Sequence, residues 1–104
     1  MTNQGAVTLS VSEDDPAALK VTIAGELDLA SVGSVQAGMG EQLAKGPQEV
    51  TFDLEKLTFM DSSGIALLVQ TANLVPRVVI VNAPPIVRRV LEATGLLEVF
   101  GITP

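Results

Sequence analysis

The chain has 104 residues, 47% apolar and 17% charged, with six basic and twelve acidic side chains for a formal net charge of −6. That length fits one domain, and a chain of this size buries about 65% of its unfolded surface, enough for one modest core. Cys and His are both absent, which excludes disulfide frameworks, zinc knuckles and thiol chemistry and removes the commonest general base and metal ligand. Trp and Tyr are missing and Phe occurs three times, so a base-stacking platform has no material. The negative balance opposes nucleic acid and anionic membrane surfaces as partners. The acidity is uneven: residues 1–61 hold ten acids and three bases, whereas residues 62–104 hold two acids and three bases.

Met1 to Gly5 carry no basic segment ahead of an apolar run, so no signal peptide is expected. The longest uncharged run, Ser62 to Pro76, is fifteen residues and includes Ser, Gln, Thr and Asn. That is short of the roughly 20 apolar residues of a membrane span. The chain is therefore expected to be cytoplasmic, with no direct membrane insertion. No repeat, low-complexity tract or linker divides it, so residues 1–104 read as a single domain.

In chain order, Val7, Leu9 and Val11 alternate with polar residues, as do Leu19, Val21 and Ile23, and Ser12 to Pro16 form a turn cluster between them. This predicts a hairpin. Val32, Val35, Met39 and Leu43 share one helical face, with Ser31 placed to cap the start and Gly46-Pro47 to end it. Gly33, Gly38 and Gly40 each weaken that helix by up to about 1 kcal/mol. Val50, Phe52 and Leu54 form a strand. A second helix follows Asp61, with Ile65, Leu68, Val69 and Ala72 on one side. Val78 to Val81 is a β-branched run that reads as a strand buried on both faces. Pro84-Pro85 open a third helix carrying Ile86, Val87, Val90, Leu91 and Thr94 on one face, and Gly95 stops it. Val99 to Ile102 form a short final strand or a packed tail. The order predicts a small α/β domain: a mixed, mostly parallel sheet of four to five strands with about three main helices.

The most informative segment is Phe59-Met60-Asp61-Ser62-Ser63-Gly64. It sets two hydroxyls at a helix N-terminus, where unpaired N–H groups and the dipole favour negative charge. A phosphate on Ser62 would be tolerated there. With Gly25-Glu26-Leu27-Asp28, Asp53-Leu54 and the stretch Val87 to Leu96, this segment resembles the STAS domain of bacterial anti-sigma factor antagonists, in the family's order and over most of the chain. The resemblance implies a partner switch. The unphosphorylated antagonist binds an anti-sigma factor, which then releases its sigma factor. That anti-sigma factor is also a serine kinase, and a phosphatase resets the switch. The modified serine falls on Ser62, and Asp28 and Asp61 match acids placed near it. Asp28, Asp61, Ser62, Ser63 and Gly64 are thus the expected partner-binding residues. Two departures stand out: Ala66 replaces a frequent Gly, which would alter the first helical turn, and the short connection from Asn73 to Arg77 would shorten the second helix.

Each motif also has a plainer role. Ser62, Ser63 and Asp61 suit a helix cap and turn, and Gly25 to Asp28 suit a strand exit. Arg88-Arg89 read as a solvated helix face, with docking to an acidic partner as the alternative. Glu13-Asp14-Asp15 form a solvated turn without the remaining ligands of a calcium loop, and Met39 and Met60 read as core. Asp53 and Asp61 are two carboxylates, yet nothing else points to a glycosidase. With no His there is no Ser–His–Asp arrangement, and no phosphate-binding loop is present. No cofactor or metal is implied and no catalytic residue is assigned. Ser62 is expected to be the substrate of another enzyme. The alternative is a STAS accessory subunit of a bacterial lipid-transport ABC complex, which grips an ATPase without phosphorylation.

Overall fold

Strand β2 (Ala18–Leu27) organises the sheet. Its odd-numbered side chains Leu19, Val21, Ile23 and Leu27 are buried, while Lys20, Thr22, Ala24 and Glu26 are exposed or half-buried. Alternation of this kind gives one covered and one open face. The computed structural model describes residues 7–15 and 17–103; the readings made for Met1 to Gly5 and for Pro16 lie outside them.

β1 (Val7–Asp15) pairs antiparallel with β2, Leu9 opposite Ile23 and Val11 opposite Val21. The strands run further into the hairpin than the acidic cluster suggested. Glu13 and Asp15 are paired with Leu19 and Ala18, with an irregularity between them. On its other side β2 meets two strands in succession. β3 (Glu49–Asp53) lies parallel to Ala18–Thr22, and β4 (Leu57–Met60) lies parallel to Gly25–Leu27. β5 (Arg77–Val81) pairs parallel with β3, and β6 (Gly101–Thr103) pairs parallel with β5. Among the described residues, six strands thus fill five positions across the sheet, because β3 and β4 share one edge of β2.

The three α-helices of the described residues are α1 (Val32–Ala44), α2 (Ser62–Leu74) and α3 (Pro85–Ala93). They carry the crossovers β2 to β3, β4 to β5 and β5 to β6. Each crossover steps the same way across the sheet, so right-handed connections place all three helices on one face. Val35 and Met39, Leu67 and Leu68, and Val87 and Leu91 join β2, β3 and β5 in a single core. The opposite face carries Ser10, which is exposed, and Thr22 and Thr51, which are half-buried. The β5 run is therefore not buried equally on both sides. Val78 and Ile80 face the core, whereas Val79 retains 9% exposure and Val81 is half-buried.

Local chemistry sets most boundaries. Gly46 (φ +70°) and Gly95 (φ +73°) adopt left-handed geometry where α1 and α3 stop, and Pro84 and Pro85 start α3. Helix α2 differs from expectation in the face it buries. It runs the thirteen residues Ser62–Leu74, with Ala66 exposed in its second turn and Asn73 still helical. Its deepest stripe is Gly64, Leu67, Leu68 and Thr71, while Ile65, Val69 and Ala72 form the half-buried flank. The unbroken apolar run Ile65 to Val69 spans more than one helical turn and so gives little phase information, and Thr71 is admitted to the core because its hydroxyl donates to the Leu67 carbonyl at 2.9 Å. After α3 the chain makes a short 3-10 turn at Leu97–Val99 and enters β6, so the tail is a strand. No helix among the described residues is long and apolar enough to cross a membrane.

Candidate functional site

The parallel strands β2 and β4 end together, Leu27 opposite Met60, and their carboxyl ends feed α1 and α2. Loops at such strand ends are where open α/β sheets place their ligands. β2 reaches this point through Gly25, at φ +92°, with a register shift against β4 between Gly25 and Glu26. Only Gly adopts that backbone without penalty. The motif Gly25 to Asp28 is therefore strand up to Leu27 and turn from Asp28 onward.

Asp61 is the N-cap of α2, in extended geometry, and its Oδ1 accepts the Ser63 N–H at 2.8 Å. Its Oδ2 accepts the Leu29 N–H at 3.3 Å, from a residue 32 positions away. One carboxylate thus starts a helix and ties down the loop after β2. The Asp61 N–H in turn donates to the Leu27 carbonyl at 3.3 Å. Ser62 is the first helical residue and is exposed; Ser63 is half-buried.

The loop is locked from its other side. Asp28 Oδ1 accepts the N–H groups of Ala30 and Ser31, each at 3.1 Å. Ser31 is only 3% exposed. It occupies the cap position of α1 but makes no side-chain cap bond. Its hydroxyl turns back, donating to the Glu26 carbonyl at 2.7 Å and accepting the Asp28 N–H at 3.0 Å. The expected capping role of Ser31 is thus replaced by a brace across the turn.

Gly64 is buried, so any contribution to a partner is indirect. A Cβ placed there would lie 2.5 Å from Met60 Cγ and 3.1 Å from Leu27 Cδ2. The first turn of α2 can approach the ends of β2 and β4 only because this residue has no side chain. The structure therefore brings Asp28, Asp61, Ser62, Ser63 and Gly64 to one edge of the sheet. Ser62 is presented outward, the two aspartates shape the backbone, and Gly64 seats the helix.

Asp53 stands apart in its role. Its Oδ1 accepts from the Glu55 N–H at 3.1 Å and Asn82 Nδ2 at 3.2 Å, and Oδ2 lies 3.9 Å from Lys20 Nζ. Those bonds fix the β3 and β5 exits. Arg88 and Arg89 are both exposed, and Met39 and Met60 are both buried. Two residues escaped the sequence reading, Leu29 and the buried hydroxyl of Ser31. Nothing local to Leu29 marks it, since its placement depends on Asp61. A cleft of about 210 Å³ between α1 and α2, lined by Met39, Leu43, Leu67 and Leu74, lies further along α2 and does not include Ser62.

Residues 9–104 match the STAS domain family. The anti-sigma-F factor antagonist RsfB of Mycobacterium tuberculosis is 26% identical over 105 residues, covering 98% of this chain and 85% of RsfB. The crystal structure of an anti-sigma factor antagonist from Mycobacterium paratuberculosis superposes with a TM-score of 0.87 at 24% identity, covering 100% of this chain and 91% of that one. The antagonist SpoIIAA matches in its unphosphorylated form with a TM-score of 0.80 at 24% identity, over 93% of this chain and 89% of that one. Its phosphorylated form, from Bacillus, gives 0.74 at 22% identity, over 93% of this chain and 92% of that one.

Proposed function

The chain belongs to the STAS domain family, and on that premise we propose that it is an anti-sigma factor antagonist, a binding module switched by phosphorylation of Ser62. In this reading the unphosphorylated domain binds a cytoplasmic anti-sigma factor with serine kinase activity and so frees a sigma factor. Phosphorylation ends the complex, and a phosphatase restores it. The observation that carries the reading is the exposed Ser62 at the first position of α2, directly after a cap carboxylate already committed to two N–H groups. The relatives named as anti-sigma factor antagonists, and SpoIIAA in both phosphorylation states, support it.

The geometry explains why such a switch would act outward. A phosphate adds about −1.5 to −2 charge and three acceptor oxygens. A bare helix terminus would absorb much of that charge. Here the Ser63 N–H is held by Asp61 Oδ1, and the Gly64 and Ile65 N–H groups donate to the Asp61 carbonyl at 3.0 and 3.3 Å. The phosphate would find few internal donors and would stand beside the Asp61 carboxylate. A partner packed over Ser62 would meet the added charge, bulk and desolvation cost, while the domain itself stays folded.

The test is affinity capture from lysate of the source cell with Ser62→Ala and Ser62→Glu domains as paired baits, read by mass spectrometry. An ATP-binding anti-sigma factor held by the Ala bait and lost from the Glu bait is the expected result. Retention of one ABC-transporter ATPase by both baits would overturn the reading in favour of a transport subunit.

A further inference from the structure

Leu29 is 78% exposed, the highest value among the large apolar side chains of the described residues. A lone exposed leucine needs no explanation, but the backbone that carries this one is held in place. Its own N–H is bound by Asp61 Oδ2, the next two N–H groups are bound by Asp28 Oδ1, and the buried Ser31 hydroxyl ties Asp28 back to Glu26. The four-residue turn is thus braced by three side chains, and the residue at its tip is apolar and turned to water. The tip is one hydrogen bond from the residue that precedes Ser62.

We propose that Leu29 is the apolar anchor by which an anti-sigma factor is held over Ser62, and that Asp61 is the positioning residue that aims it. The inference rests on the reading of Ser62 as the switch, since a kinase site that reaches the Ser62 hydroxyl must cover its neighbours. Binding energy concentrates in a few buried anchors, and an anchor whose backbone is fixed before binding loses less entropy on docking. Asp28, Asp61 and Glu26 rim the same edge, so the complementary surface is an apolar pocket with a basic border. Asp61 then has two separable duties. Oδ1 caps α2 and Oδ2 holds Leu29. An Asn at position 61 keeps one acceptor for the cap and puts an NH₂ group where the Leu29 N–H needs an acceptor.

The experiment measures affinity for the anti-sigma factor retained by the Ser62→Ala domain, with all variants built in that background. Leu29→Ala is expected to weaken binding at least tenfold with the urea midpoint unchanged. Asp61→Asn is expected to weaken it severalfold and to speed hydrogen exchange of the Leu29 amide. Combined with Leu29→Ala, Asp61→Asn should add almost nothing further, because its effect passes through the leucine. Unchanged affinity of Leu29→Ala, beside a normal loss in Ser62→Glu, overturns the anchor and leaves the switch standing. A full additional loss from Asp61→Asn in the Leu29→Ala background overturns the positioning role. If the Ser62→Ala domain holds no anti-sigma factor at all, the switch reading fails and the anchor falls with it.

Discussion

Helices α1 and α2 start beside each other at the same edge of the sheet, and they start in opposite ways. At α2 the cap side chain points forward and binds the helix's own first turn, leaving Ser62 exposed. At α1 the cap residue points backward, and its hydroxyl is buried in the turn that precedes the helix. The first arrangement presents a residue; the second immobilises a loop. Asp61 joins the two by reaching from one helix start to the turn before the other. A surface that must be recognised in one chemical state and refused in another benefits from both, a reactive group in the open and a rigid frame around it.

The glycines of the two first turns give the sharpest contrast. In α2, Gly64→Ala forces a methyl group against Met60 and Leu27. Overpacking of this kind costs about 1–3 kcal/mol, and the better helix propensity of Ala returns at most about 1 kcal/mol. The expected outcome is a net loss of about 1–2 kcal/mol in urea unfolding. In α1, a methyl group on Gly33 would meet nothing within 4 Å. Gly33→Ala should therefore stabilise, by about 0.5 kcal/mol. Equal signs for the two substitutions would erase the claim that only α2 is seated by close approach.

Ser31→Ala tests the other frame. It leaves the Glu26 carbonyl and the Asp28 N–H without their partner in a nearly buried site. The expected loss is about 1–2 kcal/mol. Asp61→Ala removes a cap that is partly open to solvent and should cost about 1 kcal/mol. Thermal melts of the pair rank them. If Asp61→Ala proved much the more damaging, the α1 turn would not be the stiffer element.

These effects also show what could be read from the chain alone. Strands β2 and β3 were legible in Leu19, Val21, Ile23 and in Val50, Phe52, Leu54 because alternation needs only neighbours along the strand. The ends of α1 and α3 were legible in Gly46, Gly95 and the Pro84-Pro85 pair because each acts through its own backbone. The Asp61-Ser62-Ser63-Gly64 motif stood out through its resemblance to the STAS family, since its local chemistry alone reads as a helix cap and turn. By contrast, β4 is four residues long and continues the edge begun by β3, so its short pattern merges with the motif that follows. The buried stripe of α2 rests on Gly64 and Thr71, neither of which counts as apolar in a sequence pattern. The tether from Asp61 to Leu29 and the contact surface beneath Gly64 arise where β2 and β4 meet, about thirty residues apart in the chain. Patterns within one segment carry no record of such meetings.

The smallest expected effect on stability belongs to Ser62→Glu, and it is the most informative. An acid at the first helical position gains from the helix terminus by about 0.3–1 kcal/mol. The Asp61 carboxylate beside it opposes that gain, and the first-turn N–H groups are already engaged. The two contributions nearly cancel, so the urea midpoint should move by less than the equivalent of about 0.5 kcal/mol. Affinity for the anti-sigma factor should nevertheless fall at least tenfold, since the partner alone must face the new charge in a desolvated contact. A site whose chemistry served folding would show the reverse, with stability lost and binding following it down. Measured together, the two quantities decide whether Ser62 is exposed because nothing there depends on it, or because a partner does.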